Sequence, residues 1–264
     1  MKVKLLTKTE GVGDYEGKSI DEIIVGIARL SSSREINCLF KEPDKLLRHC
    51  LWNSHWSIFS MANLTFEIET SRAIGREYLR HFSLSPQELS QRYSSVSNSE
   101  PIEIREQCKN NRQSSSKVID PMMYQNVDES GVHTLHASQL VDNHINVSHQ
   151  LYKDLQERGV ARESARFVLP ENTQTTLIMN GKVRDWITTL NQRLHYTAQK
   201  EAREVAEAIR DIFIEQCPII SKMLFNFEDA DKIHILERIL LEKWGVYDQI
   251  KSNNVRGQAT PSED

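Results

Sequence analysis

The residues best suited to chemistry gather between Arg76 and Ser94. Arg76, Arg80 and His81 put cations at the end of an apolar-striped helix in which Ala73, Ile74, Tyr78 and Leu79 fall at helical spacing. Ser83, Ser85 and Pro86 then break that helix, because a proline drives the residue before it out of the helical region. Past the break Glu88, Ser90 and Arg92 alternate along a strand or extended loop. A cation at a helix end, followed by hydroxyls, backbone N–H groups and a second arginine, can cradle a phosphate. The same types also fit a helix end followed by a polar turn, and spacing leaves both readings open. A second cluster sets Glu163 and Arg166 three residues apart on one helical face, where they can pair with each other. Read from residue types alone, that is equally a surface ion pair.

The elements that must position these groups follow from hydrophobic period and caps. Residues 3–6 suit a short first strand. Ser19 caps a helix with Asp21 and Glu22 in its first turn and Ile23, Ile24, Ile27 and Leu30 inward. Pro43 opens a second, with Leu46, Leu47, Cys50 and Leu51 inward. Trp56, Phe59 and Met61 read as core ahead of a strand over residues 64–69. Ser71 is the expected N-cap of the helix that carries Arg80. Residues 97–117, polar and with a triple serine, read as a mobile excursion, either a lid or a solvated connection. A long helix is expected over 129–158, striped by Leu135, Leu140, Val141, Ile145, Leu151 and Leu155 and stopped by Gly159. A strand over 173–179, a tight turn at Asn180-Gly181 and a helix from Val183 to Leu194 follow, with Val183, Trp186, Ile187 and Leu190 inward. Helices over 198–217 and 229–244 and a disordered tail over 252–264 complete the chain.

Composition excludes several classes. The 264 residues are 39% hydrophobic and 27% charged, ordinary for a soluble globular protein. A net charge of −4 gives no overall basic face for nucleic acid, and no apolar run reaches the length of a membrane span. Cys38, Cys50, Cys108 and Cys217 show no paired spacing, which argues against zinc or a disulfide scaffold and fits a reducing cytoplasm. His133, His136, His144 and His149 do not bring three ligands to one face, so no metal is expected.

Three separated blocks, in order between about residues 52 and 215, resemble the flavin-dependent thymidylate synthases. Arg80-His81-Phe82, seven residues, then Ser90 is similar to that family's Arg-His-Arg signature, with Phe82 in place of the second arginine. His55, Ser57, Thr65 and Phe66 fit its histidine–serine wall and Thr-Phe strand, while Ser60 and Met61 replace a flavin-proximal Glu-His pair. Glu163, Arg166 and Leu169-Pro170 match its Glu-x-x-Arg-x-x-Leu-Pro element. Arg184 and Arg193 match its strand–turn–helix segment, with Lys182 and Thr188 in place of residues that are commonly asparagine, or asparagine or histidine.

The resemblance implies an α+β fold, a central mostly antiparallel sheet packed with long helices, in one catalytic domain over residues 1–251. It implies methylation of dUMP at C5 to dTMP, with methylenetetrahydrofolate as carbon donor and NADPH-reduced FAD as hydride source. Arg193 is then the residue that polarises the pyrimidine, since a guanidinium stabilises charge developing at N3 and O2. Glu77, Arg80, Glu88, Leu89, Ser90, Gln91, Arg92, Arg166 and Arg193 are the implied dUMP-binding set. Arg80, His81, Phe82, Glu88, Lys182, Arg184 and Thr188 are the implied FAD set. A homotetramer with sites shared between subunits is implied as well. The departures from the family pattern leave two rivals: C5 hydroxymethylation of dUMP or dCMP, and a nucleotide-binding relative without turnover.

Overall fold

Two hydrophobic periods alternate along the chain, and the elements follow them. The computed structural model of the chain describes residues 1–31, 36–96, 98–128 and 130–225. In order these form β1 (Lys2–Lys8), α1 (Ile20–Leu30), α2 (Ile36–Leu39), α3 (Pro43–Trp52), β2 (Asn63–Ser71), α4 (Arg72–Leu79) and β3 (Ser85–Glu88). Two hairpins come next, β4 (Arg105–Gln107) with β5 (Ser115–Val118) and β6 (Met122–Asp128) with β7 (Gly131–His136). Then come α5 (Ala137–Glu157), α6 (Arg162–Ala165), β8 (Gln174–Lys182), α7 (Val183–Arg193), α8 (Lys200–Gln216) and α9 (Pro218–Phe225). The expected helix over 229–244, the tail over 252–264 and the domain limit at 251 lie outside the described residues.

The central sheet has the order β1-β2-β8-β3, and both hairpins are antiparallel. Lys2 meets Glu69 and Lys4 meets Glu67, while the Thr9 N–H reaches the Asn63 carbonyl, so β1 and β2 run in opposite directions. The fold is α+β, as expected. Contacts divide the chain into two units, one of residues 1–4, 66–179 and 197–205 and one of residues 5–65, 180–196 and 206–264.

In the second unit, Ser19 and Glu22 form a reciprocal cap at the start of α1, and Pro43 opens α3. Ile23 and Ile24 are buried, whereas Leu30, the last residue of α1, is exposed. Phe59 is core, but Met61, expected beside it, is 46% exposed because it stands on the cap of a short 3-10 turn. Asp21, fully buried on α1, accepts the Ile219 and Ile220 N–H groups that open α9, at 2.7 and 3.3 Å. Burial pushes its pKa up to about 6 even though both N–H bonds favour the charged form.

Two expected features of the first unit are replaced. The helix predicted over 129–158 is a hairpin followed by α5: Gly131, at φ +130°, turns the chain, and Val132 and Thr134 favour the strand that follows. Leu151, placed on the expected inward stripe, is exposed. Gly159 ends the region as expected, at φ +83°. The polar excursion carries the β4–β5 hairpin, whose first residue, Arg105, holds Glu103 and Glu201 at 2.7 and 2.6 Å.

Candidate active site

In the first unit α4 is fixed at both ends. The Ser71 hydroxyl accepts the Ile74 N–H, and the Arg72 and Ala73 N–H groups donate to the carbonyls of Thr173 and Glu171. At the other end the buried Tyr78 hydroxyl donates to the Ala202 carbonyl at 2.8 Å. Gly75 permits close packing on β8, since a Cβ there would meet Thr175 Cγ2 at 3.2 Å. Ile74 and Tyr78 form the buried stripe, while Ala73, expected with them, is exposed. Glu77, half-buried, lies on the last turn. Arg80 is the C-cap and is exposed, His81 is half-buried with its ring beside that of Tyr78, and Phe82 is 97% exposed.

The alternation expected through Arg92 stops at Glu88, whose carboxylate accepts from the Thr175 hydroxyl at 2.9 Å. The Leu89 N–H donates to the Thr176 carbonyl, also at 2.9 Å. A turn follows. The Ser90 carbonyl accepts the N–H groups of Tyr93 and Ser94, and its hydroxyl accepts the Arg92 N–H at 3.3 Å. That side-chain bond offers the backbone an alternative to a strand ladder. Gln91 is buried, and its Nε2 has no partner among the described residues. Leaving such a donor unmet costs about 1–3 kcal/mol, and it is one of seven such buried side-chain atoms among the described residues.

The turn is held by α6. Arg92 Nη2 lies 3.1 Å from Glu163 Oε2, and Arg162 Nη1 donates to the Tyr93 carbonyl at 3.0 Å. Glu163 therefore pairs with Arg92 and not with Arg166, because α6 ends at Ala165 and Arg166 enters a 3-10 turn. Arg166 is half-buried, and its side chain has no hydrogen bond or ion pair with any described residue. The first unit thus pairs Glu88 and Leu89 with β8 and carries Ser90, Gln91 and Arg92 in the turn that follows.

In the second unit the strand runs straight through Asn180-Gly181, where a turn was expected. Asn180 Nδ2 donates across to Thr65 Oγ1 at 2.7 Å, and the Val183 N–H donates to the Ala62 carbonyl, so the strand keeps its partners up to the helix. Lys182 is the extended N-cap of α7, and its N–H donates to the Asp185 carboxylate at 3.1 Å. Val183, Trp186, Ile187 and Leu190 are buried as expected, and the Trp186 indole N–H donates to the Leu64 carbonyl at 3.0 Å. Lys182 and Arg184 are exposed; Thr188 is half-buried, its hydroxyl bonded to the Arg184 carbonyl. Arg193, half-buried, is the last residue of α7, where the helix dipole favours a cation.

A cavity of about 320 Å³ in the first unit is lined by Glu100, Glu103, Arg105, Glu171 and Glu201 among others, and by none of the expected site residues. Its carboxylates are already engaged: Glu100 by the chain's amino terminus, Glu171 by Arg76, and Glu103 and Glu201 by Arg105. Among the described residues no group of histidine, cysteine and carboxylate side chains could hold a metal. His149 is bonded to Ser99 Oγ at 2.6 Å, and burial lowers its pKa.

Residues 14–219 match the family model described as thymidylate synthase complementing protein. The flavin-dependent thymidylate synthase of Synechocystis sp. is 41% identical over 219 residues, 83% of this chain and 96% of that one. The chain belongs to the flavin-dependent thymidylate synthase family. The probable flavin-dependent thymidylate synthase of Paramecium bursaria Chlorella virus 1 is 36% identical, over 85% of this chain and 99% of that protein. Among solved structures, the UMP/dUMP methylase PolB of Streptomyces cacaoi, bound with 5-Br dUMP, superimposes with a TM-score of 0.65. It is 22% identical, covers 87% of this chain and 96% of its own, and so shares the fold.

Three of the chain's departures from the family pattern fall on exposed side chains, while Ser60 and Thr188 are half-buried. Phe82 and Met61 are open to solvent, and Lys182 projects from the start of α7. Glu163 and Arg162 were not among the expected site residues in their observed role. Only their position before Arg166 could have suggested it, and that neighbour drew Glu163 to the wrong partner.

Proposed function

We propose that the chain is a flavin-dependent thymidylate synthase that methylates dUMP at C5, taking the carbon from methylenetetrahydrofolate, with FAD as the flavin and NADPH as the source of electrons. The observation that carries the reading is the turn at Ser90–Ser94. It combines a side-chain hydroxyl, the Arg92 guanidinium and the buried, unmet Gln91 amide. This donor set suits a phosphomonoester. Arg166, with no side-chain partner among the described residues, adds a second guanidinium. The relatives' names and the 5-Br dUMP held by the PolB structure support the same substrate class.

The flavin would be held by Arg80, His81, Phe82, Glu88, Lys182, Arg184 and Thr188, the set that the family pattern implies. Bound there, it would supply the hydride that completes the methyl group. Arg193 would stabilise negative charge at N3 and O2 of the pyrimidine, so that C5 attacks the one-carbon unit. Glu77 would orient the arginines of α4 or accept from the sugar. No thiol nucleophile is called for, and burial holds the thiols of Cys50 and Cys217 above their usual range. We place the enzyme in the cytoplasm as one catalytic domain over residues 1–251, assembled as a homotetramer in which one chain supplies the cradle and another Arg193.

The test is the visible spectrum of the purified protein with FAD, before and after dUMP, followed by product mass. A flavin band that shifts with dUMP, and a product of dTMP mass, are expected. No flavin uptake from excess FAD would leave a nucleotide binder without turnover. Altered flavin contacts, with Phe82 in place of an arginine and Met61 in place of a histidine of the family pattern, favour one second reading, C5 hydroxymethylation of dUMP or dCMP. A product heavier than dTMP by one oxygen would identify hydroxymethylated dUMP, and hydroxymethylation of dCMP would be seen from that substrate.

A further inference from the structure

Arg92 is 58% exposed and on a flexible stem, so left to itself it would sample many rotamers and lose that freedom on binding an anion. Two contacts from α6 prevent this. Glu163 holds one edge of the guanidinium through Nη2, and Arg162 fixes the carbonyl of Tyr93, the fourth residue of the turn opened by Ser90. A guanidinium carries five N–H donors, so the edge facing Glu163 leaves others for a phosphate. Glu163 is itself 57% exposed, where solvent and salt screen its repulsion of the dianion.

We propose that Glu163 and Arg162 are positioning residues that preset Arg92 and the Ser90–Ser94 turn for the nucleotide's phosphate. The inference rests on the dUMP reading above. Glu163 acts through Arg92 and touches no substrate atom. Engaged there, it leaves Arg166, on the same short segment, for the anion.

The experiment is a double-mutant cycle on dUMP binding, with deoxyuridine as the phosphate-free probe, using the full chain with FAD. Glu163→Gln is expected to raise the dUMP Kd roughly 5-fold while leaving the deoxyuridine Kd within about 2-fold, the scale of one exposed charge pair and its orientation. In the Arg92→Ala background the same substitution should change the dUMP Kd by less than about 2-fold. Arg162→Met should act like Glu163→Gln on dUMP alone. An equal effect of Glu163→Gln in both backgrounds, an equal loss of deoxyuridine, or tighter dUMP binding would each overturn the inference. If Arg92→Ala weakens dUMP binding and Glu163→Gln does not, the positioning role fails and the functional reading stands. If Arg92→Ala leaves dUMP binding untouched, the cradle reading itself falls and takes the inference with it.

Discussion

The turn at Ser90–Ser94 and the helix α7 are held in place by opposite means. The turn rests on polar contacts: a hydroxyl on a backbone N–H, an ion pair to Glu163 and a guanidinium on a carbonyl. α7 rests on apolar burial, with Val183, Trp186, Ile187 and Leu190 almost wholly removed from water. Apolar burial is non-directional and roughly additive, so it fixes an element without fixing each side chain. Polar contacts do the reverse: they contribute little net stability but set direction. The difference separates what substitutions in each region should do.

The largest effect should come from the apolar side. Trp186→Ala deletes a fully buried indole and its bond to Leu64, and a loss of about 3–5 kcal/mol in unfolding free energy is expected. Chemical denaturation measures it. A loss below 1 kcal/mol would mean that α7 is held by something other than its buried face.

Next is Arg193→Ala, at the end of the same helix but half-exposed. Turnover of dUMP should fall by a factor of about 10²–10³, the cost of one donor to developing charge, while FAD uptake and the melting temperature stay near those of the parent. Unchanged turnover would remove Arg193 from the chemistry. A collapsed melting temperature would mean that the residue belongs with the packing of α7.

The same contrast decides what could be read in the sequence. The buried face of α7, the Ser71 cap of α4 and the stop at Gly159 were all legible, because each depends on residues within a turn or two. The α4 exit at Arg80 and His81 was legible for the same reason. The hairpin of β6 and β7 was not: Leu135 stands five residues before Leu140, out of helical phase with it, and one such mismatch is too slight a signal to mark a strand. Asn180-Gly181 looked like a turn because the dipeptide favours one, yet Thr65 on the neighbouring strand gives Asn180 its partner. Glu163 was legible as an ion-pair member and illegible as to partner. An arginine three residues on is the local candidate, and the tertiary one lies far upstream in the chain. Polar contacts between distant residues carry no period.

The smallest effect, and the sharpest for the turn, is that of Ser90→Ala. The hydroxyl accepts the Arg92 N–H and is proposed to meet the phosphate, so its loss removes hydrogen bonds and no apolar burial. One such bond is worth about 1 kcal/mol, which sets an expected rise in the dUMP Kd of roughly 5-fold. The melting temperature should move by less than about 2 °C, since the turn contributes little burial to the core. Turnover at saturating dUMP should persist, because a hydroxyl that only binds phosphate is absent from the bond-making step, and Ser90→Thr should recover much of the affinity. Loss of turnover by more than about 10³-fold at saturating dUMP would instead make Ser90 a nucleophile, since that is the scale on which covalent catalysis fails. The polar turn would then be doing chemistry that its contacts to Arg92 and Glu163 give no reason to expect.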